Sequence, residues 1–322
     1  MGRGQGALPR RRQLPGYRTR CPGDDSFLVT GRVTGRAECE GSGAAVMEAE
    51  SLQQSLDLVS GSGHVLSPEQ SAALRTSLLL LQRDMRLSRV FLWGKILGVR
   101  GDYFIAQGTE GGEQLLGRRT FYSLNCMDWC LLPPASEAVF AETRAVTGRF
   151  IGDPSHEYEH TVRKKVGEGD AYEEEVTNHI KEEARLGATI ALIDKEAAVV
   201  PRGAFVKNPL GHVNVNHCFR GLTVSEAAKL SSFFHFFPTL NPKKKSLLEK
   251  ADQDPSIDFL DSLEHDIPKG SWSLQFEQGN SVVILRSLLW LGMTFYHVPL
   301  TPQHGYVYIG TGERNIDLPF MI

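Results

Sequence analysis

The residues of this chain whose types and spacing could do chemistry begin with His156-Glu157-Tyr158-Glu159-His160, which fits the pattern H-E-x-x-H. On a helix, two histidines four apart face one metal ion, and the glutamate between them activates a water for hydrolysis. Glu182 and Glu183 lie downstream, where a third ligand could come from. The setting argues against that chemistry. Gly152-Asp153-Pro154-Ser155 precedes the motif, and Val162 is the one aliphatic residue close to it. A catalytic metal needs a dry, shaped cavity, which an apolar helix would supply and this stretch does not. A polar loop or strand fits better. A zinc-dependent hydrolase built on His156, Glu157 and His160 stays as the alternative activity.

The other candidates are less specific. Cys126 and Cys130 have C-x3-C spacing around Trp129, but a structural zinc would need ligands from His212, His217 or Cys218 in an irregular pattern. Small buried residues beside a tryptophan are the simpler reading. Gly310-Thr311-Gly312-Glu313 lacks the lysine and the apolar helix of a phosphate-binding loop and reads as a strand-ending turn. His265, Asp266 and Ser271 could be drawn as a triad, yet no nucleophile elbow surrounds the serine. No residue is therefore assigned to catalysis, to a cofactor or to a metal, and no enzyme is expected. No basic stripe with interleaved aromatics suggests nucleic acid.

The elements that must position these residues follow from pattern. Residues 1–46 hold eight arginines, four acids and nine glycines, so they carry +4 while the remainder carries −7. The composition suits a disordered Arg/Gly-rich extension and cannot bury enough apolar surface to fold. Residues 47–322 form the folded domain. Leu52, Leu56 and Val59 share a helical face. Ser67-Pro68-Glu69-Gln70 supplies an N-cap, a proline at N1 and a capping-box glutamine, starting a helix over 67–86. The runs 90–97 and 103–106 read as a hairpin, with a third strand over 120–124 and a helix over 135–146. Val176, Ile180, Ile190 and Ile193 predict a central amphipathic helix over 172–198, with Gly187 as a point of breakage. Short strands are expected around 198–207 and 213–219. A capped helix should run from Thr223 to about Phe234, and Phe233, Phe234, Phe236 and Phe237 should be core. Residues 241–270 are loop-rich, with Lys243-Lys244-Lys245 in a solvated turn.

The last fifty residues read as all-β. Trp272, Leu274 and Phe276 alternate toward one face, which should be the core face. In 306–309 both faces are apolar or aromatic, with Tyr306 and Tyr308 on one and Val307 and Ile309 on the other. Such a strand is either sandwiched inside the subunit or covered by a partner. Tyrosines suit interfaces, so Tyr306 and Tyr308 are the candidate partner contact. The class is α+β: N-terminal helices, a sizeable antiparallel sheet, the central helix and a β-rich C-terminus.

Cys21, Cys39, Cys126, Cys130 and Cys218 are too few and too scattered for a disulfide framework, which fits a reducing, cytoplasmic compartment. The longest apolar run, Leu78–Leu81, falls far short of the roughly 20 residues that span a bilayer. No signal peptide is evident, and a membrane partner is not expected.

From Met47 onward the chain resembles the radial spoke head proteins of motile cilia and flagella. Asp102-Tyr103-Phe104-Ile105-Ala106-Gln107-Gly108, Tyr122-Ser123-Leu124-Asn125-Cys126 and Gly152-Asp153-Pro154-Ser155 carry part of the likeness. Leu247–Asp252 and Asp261–Trp272 carry the most specific part, and Val283–Trp290 echoes the related spoke head proteins 4 and 6. Leu291 departs from the pattern, which has a proline there. The resemblance implies a non-catalytic structural subunit of the axonemal cytoskeleton that relays central-pair signals toward the dynein arms, without cofactors. The partners it implies are spoke head proteins 4 and 6, a MORN-repeat head protein, the spoke stalk and the central-pair projections.

Overall fold

In a computed structural model of the chain, two helices, α1 (Leu52–Val59) and α2 (Pro68–Asp84), open the described residues. Those residues are 47–111, 114–115, 117–166, 172–239 and 254–321. The extension over 1–46 and the lysine turn at 243–245 lie outside them. The capping box forms as its residues require: the Ser67 hydroxyl accepts the Gln70 amide at 3.2 Å, and the Gln70 side chain accepts the Ser67 amide. Leu74, Leu78 and Leu81 recur on the buried face of α2.

The hairpin is β1 (Arg89–Ile96) and β2 (Tyr103–Thr109), followed by β3 (Arg119–Ser123), the two-residue β4 (Cys130–Leu131) and helix α3 (Glu137–Ala145). Next come strands β5 (Glu157–Val166) and β6 (Tyr172–Lys181), then helix α4 (Glu182–Ala197). This corrects the central amphipathic helix over 172–198. Its first ten residues are a strand paired with β5, and only the remainder is helical. Val176 and Ile180 fit a helical period, but in a strand positions four apart also share a face, so the spacing did not discriminate. Gly187 lies inside α4 without breaking it.

Strands β7 (Val199–Pro201), β8 (Phe205–Lys207) and β9 (Val213–Val215) are short. Thr223 and Glu226 form a second capping box, but helix α5 (Val224–Ala227) stops far short of Phe234. Phe233 and Phe234 instead begin β10 (Phe233–His235), which pairs with β7. Two adjacent phenylalanines fit a strand buried on both faces better than a helix with one buried stripe. The C-terminal meander is β11 (Trp272–Glu277), β12 (Val282–Ser287), β13 (Met293–His297) and β14 (His304–Gly310).

The main sheet has the order β11-β12-β13-β14-β1-β2-β3-β4. All its neighbours are antiparallel except β14 and β1, which run parallel and join the C-terminal meander to the N-terminal hairpin. At that seam β1 carries a bulge: Leu92 faces Ala106 and Gly94 faces Ile105, leaving Trp93 extra. Gly94 has φ +151°, and a Cβ there would come within 2.0 Å of the Tyr308 carbonyl oxygen. Only glycine allows the two strands to meet.

Both faces of the sheet are covered by the chain itself. Helices α1 and α2 pack on the face of Leu92, Phe104, Phe121, Ile284, Tyr296 and Val307. Helix α4 with β7 and β10 packs on the face of Trp93, Tyr103, Tyr122, Phe295, Tyr306 and Tyr308. Trp272 is buried on this second side, with Leu274 and Phe276 packed against it. No helix among the described residues is long and apolar enough to cross a membrane.

Candidate functional site

The residues around H-E-x-x-H are built as a strand. Backbone positions four apart in a strand are about 13 Å apart. Two imidazole nitrogens on one zinc ion are at most about 4 Å apart. The helical pair that the hydrolase needs is therefore absent at His156 and His160. The His156 ring stands edge-on to Tyr158 with centroids 4.7 Å apart. No group of three or more histidine, cysteine, aspartate or glutamate residues with metal-binding geometry occurs among the described residues.

What this region builds instead is a buried carboxylate. Glu182, the first residue of α4, has no solvent exposure. Its Oε1 accepts from the Tyr103 hydroxyl at 2.7 Å and from the amides of Gly152 at 2.7 Å and Asp153 at 3.1 Å. Its Oε2 accepts from the Ile151 amide at 2.9 Å and from the Tyr158 hydroxyl. The amide of Glu182 in turn donates to the His156 carbonyl at 2.7 Å. Burial alone would raise the carboxyl pKa, but the hydrogen bonds from Tyr158, Tyr103, Ile151 and Gly152 outweigh it and hold the group below its usual range. Burial and the Glu182 bond push Tyr158 up to about 12, so the phenol stays a donor. The Arg185 guanidinium lies over Phe150 and Tyr158, with centroid distances of 4.4 Å and 4.7 Å. One acid thus ties β2, the 150–153 turn, β5 and α4 together. With every lone pair engaged by fixed donors, it is a poor proton acceptor for a substrate.

Tyr306 and Tyr308 lie on the α4 side of the sheet, 3% and 0% exposed. The Tyr306 hydroxyl accepts from Arg118 Nη1 at 2.9 Å, and the Arg118 guanidinium stacks 4.4 Å above Phe236. Tyr308 packs 5.2 Å from Trp93, and its hydroxyl accepts the Gly312 amide at 2.9 Å. Burial pushes both phenols up to about 12. Burial leaves neither side chain a surface for direct contact with another subunit. Beside them Asp194 accepts from Trp93 Nε1 at 2.7 Å and Gln107 Nε2 at 2.5 Å, and burial raises its pKa against the pull of Arg118.

The remaining candidates separate. Asp266 pairs with His235 rather than His265: it accepts at 2.8 Å from the His235 ring and at 2.6 Å from Trp272 Nε1. The buried Ser271 contributes its carbonyl to the Leu288 amide. Cys126 is buried, and burial pushes its thiol up to about 11, whereas Cys130 is exposed; both are free. Gly310–Glu313 is the turn that ends β14, held by Tyr308. Sequence reasoning missed the Glu182 hub. The available signal was the run of backbone amides after Gly148-Arg149-Phe150, which needs an acceptor once the turn is buried.

Comparison with known proteins is consistent with a structural site. Residues 30–201 match the family model described as radial spokehead-like protein. The chain is 71% identical to the radial spoke head protein 9 homolog of Xenopus tropicalis over 277 residues, which cover 86% of this chain and all of the relative. The homologs from Bos taurus and Homo sapiens are 60% and 59% identical over the same lengths.

Proposed function

The chain belongs to the radial spokehead-like family, and on that premise we propose that it is a structural component of the radial spoke head in the axoneme of 9+2 cilia and flagella. The observation that carries this reading is the 59–71% identity along the whole length of three relatives bearing that name. The proposed role is non-catalytic: Glu182 and Asp266, the candidate ligand and the candidate triad acid, are engaged in holding loops. The subunit helps relay central-pair signals toward the dynein arms and supports ciliary movement.

Its proposed partners are spoke head proteins 4 and 6, the MORN-repeat head protein and the spoke stalk, with the head facing the central-pair projections. Tyr306 and Tyr308 enter this proposal through what they hold. Tyr308 braces the turn at Gly312, which carries the exposed residues Glu313 and Arg314, and Tyr306 anchors Arg118. Residues 47–322 are proposed as the assembling domain, with 1–46 dispensable to it. The test is co-purification of the full-length chain from isolated axonemes with identification of the bound subunits. Recovery with spoke head proteins 4 and 6 is expected. Recovery free of every radial spoke component refutes the reading.

A further inference from the structure

The main sheet ends differently at its two sides. At one side β4 has two residues, too short to template another strand. At the other, β11 has six, without proline, lysine or a bulge, and β12 is its one neighbour among the described residues. The register shows which backbone groups are left over. The Leu288 amide donates to the Ser271 carbonyl at 2.9 Å, so Ser271 and Leu288 are a hydrogen-bonded pair. Directly opposed residues of an antiparallel ladder alternate between bonded and non-bonded pairs. Ser273, Gln275 and Glu277 therefore turn their amides and carbonyls toward β12, and Trp272, Leu274 and Phe276 turn theirs outward. No described residue takes up those outward groups. An open edge of this kind is a template for strand addition.

The edge is complementary to itself. An antiparallel second copy of β11, related by a two-fold axis at Leu274, sets Trp272 opposite the partner's Phe276 and Leu274 opposite its own twin. This register uses all the outward groups, in about six hydrogen bonds, and a shift to either side uses fewer. Trp272, Leu274 and Phe276 share one face, where aromatic and apolar pairs across strands are favourable. On the other face Ser273 meets Gln275 and Glu277 meets Ser271, so no like charges oppose one another. Glu277, the one charge of the strand, is already paired with Arg286. The two ends of the strand fit the same arrangement. At the C-terminal end Phe276 and Asn280 line an open groove with Val224 and Leu300, both exposed. At the N-terminal end Ile267 is 92% exposed, and its neighbour Asp266 accepts from the Trp272 indole. Antiparallel pairing brings the Ile267 end of each copy to the groove end of the other. Everything the edge lacks is supplied by the same strand reversed, so a second copy is the occupant that fits.

We propose that this chain self-associates as a two-fold dimer through β11, joining two sheets edge to edge. The inference goes beyond the radial spoke reading and is tested on the isolated chain, so its failure leaves that reading untouched. The experiment is sedimentation equilibrium of the purified full-length chain up to about 100 µM, for wild type and two variants. S273E/Q275E sets glutamates opposite one another twice across the axis, while within one copy both stay beside Arg286. S273K/Q275E sets lysine opposite glutamate twice instead. A wild-type dimer is expected, weakened about tenfold or more in S273E/Q275E and kept in S273K/Q275E. Amide hydrogen exchange of the wild type gives a readout that needs no variant: the Leu274 and Phe276 amides are expected to gain protection as concentration rises. A wild type that stays monomeric, S273E/Q275E that dimerises as the wild type does, equal loss in both variants, or exchange at Leu274 and Phe276 that ignores concentration overturns the proposal.

Discussion

Replacing Glu182 with glutamine changes one atom and tests the buried hub directly. Glutamine can keep three acceptor bonds at Oε1, those from Tyr103, Gly152 and Asp153. Its amide nitrogen then faces the Ile151 N–H, a donor against a donor, where a carboxylate oxygen accepted at 2.9 Å. The substitution removes a hydrogen bond to a charged group, about 1.5–3 kcal/mol, and leaves a buried N–H unsatisfied, about 1–3 kcal/mol more. Tyr158 offsets part of this by rotating its hydroxyl to accept. A loss of about 3–5 kcal/mol is therefore expected. In a domain of this size each kcal/mol moves the melting temperature by roughly 2–4 °C, so E182Q should melt at least about 6 °C lower. The assay is urea denaturation of wild type and E182Q at pH 7, with Tyr158→Phe as a milder companion. The pH dependence has a definite sign. The folded pKa of Glu182 lies below the unfolded value of about 4.3, so its contribution is complete above that value and disappears as pH falls through the folded pKa. E182Q lacks that acid-dependent part. A loss below about 1 kcal/mol at pH 7 would refute the account of the carboxylate as the tie between these four elements.

Four further outcomes are expected. His64, His297 and His304 are buried and neutral, with pKa values lowered by burial to about 4, 4 and 3; against an unfolded value near 6.5, their stabilisation is full above that pH and is lost as pH falls toward 4, so denaturation at pH 7 and pH 5 should differ by about 5 kcal/mol, and a flat profile would contradict it. Gly94→Ala should destabilise the chain by more than about 3 kcal/mol in the same denaturation assay, because its Cβ meets the backbone of Tyr308. His156→Ala should cost about 1 kcal/mol or less, the worth of its edge-on contact with Tyr158, and metal analysis should find the same zinc content in both proteins. Removing residues 1–46 should leave the melting temperature unchanged in calorimetry, whereas removal through Leu52 should lower it, since Met47 and Leu52 are fully buried and the Met47 carbonyl accepts the Leu92 amide at 2.9 Å.

What could be read in the sequence was local. Ser67 and Gln70 announce a helix start because the capping box involves only residues three apart. The alternation of Trp272, Leu274 and Phe276 gives the core side of β11 for the same reason. Residues 172–181 were misread because their strand is decided by a partner: cations at 163–165 oppose acids at 173–175, a pairing invisible to a window moving along one segment. The hub was hidden because Glu182 is one acid among many until the turn at 150–153 brings three amides to it. Alternation in 306–309 correctly gave two apolar faces, yet nothing in that strand says that α2 and α4 lie over them.

Three acids of the chain each organise a turn or join two strands. Asp102 accepts the Gly98 amide at 3.1 Å and pairs with Lys95 at 2.8 Å across the β1–β2 hairpin. Glu182 gathers the amides that follow Gly148-Arg149-Phe150. Asp266 joins His235 of β10 to Trp272 of β11. The donors to Glu182 come from distant segments, those to Asp102 from its own hairpin and those to Asp266 from β10 and β11; of the three, Glu182 is the fully buried one, and breaking its arrangement costs several kcal/mol. A catalytic carboxylate needs the reverse, an acceptor left open toward a substrate and a pKa placed for proton exchange. The same residue types that suggest hydrolysis in the sequence therefore fix, in the fold, the relative positions of the sheet, the α4 layer and the base of the β5–β6 pair. A frame of that kind suits a structural component of the radial spoke.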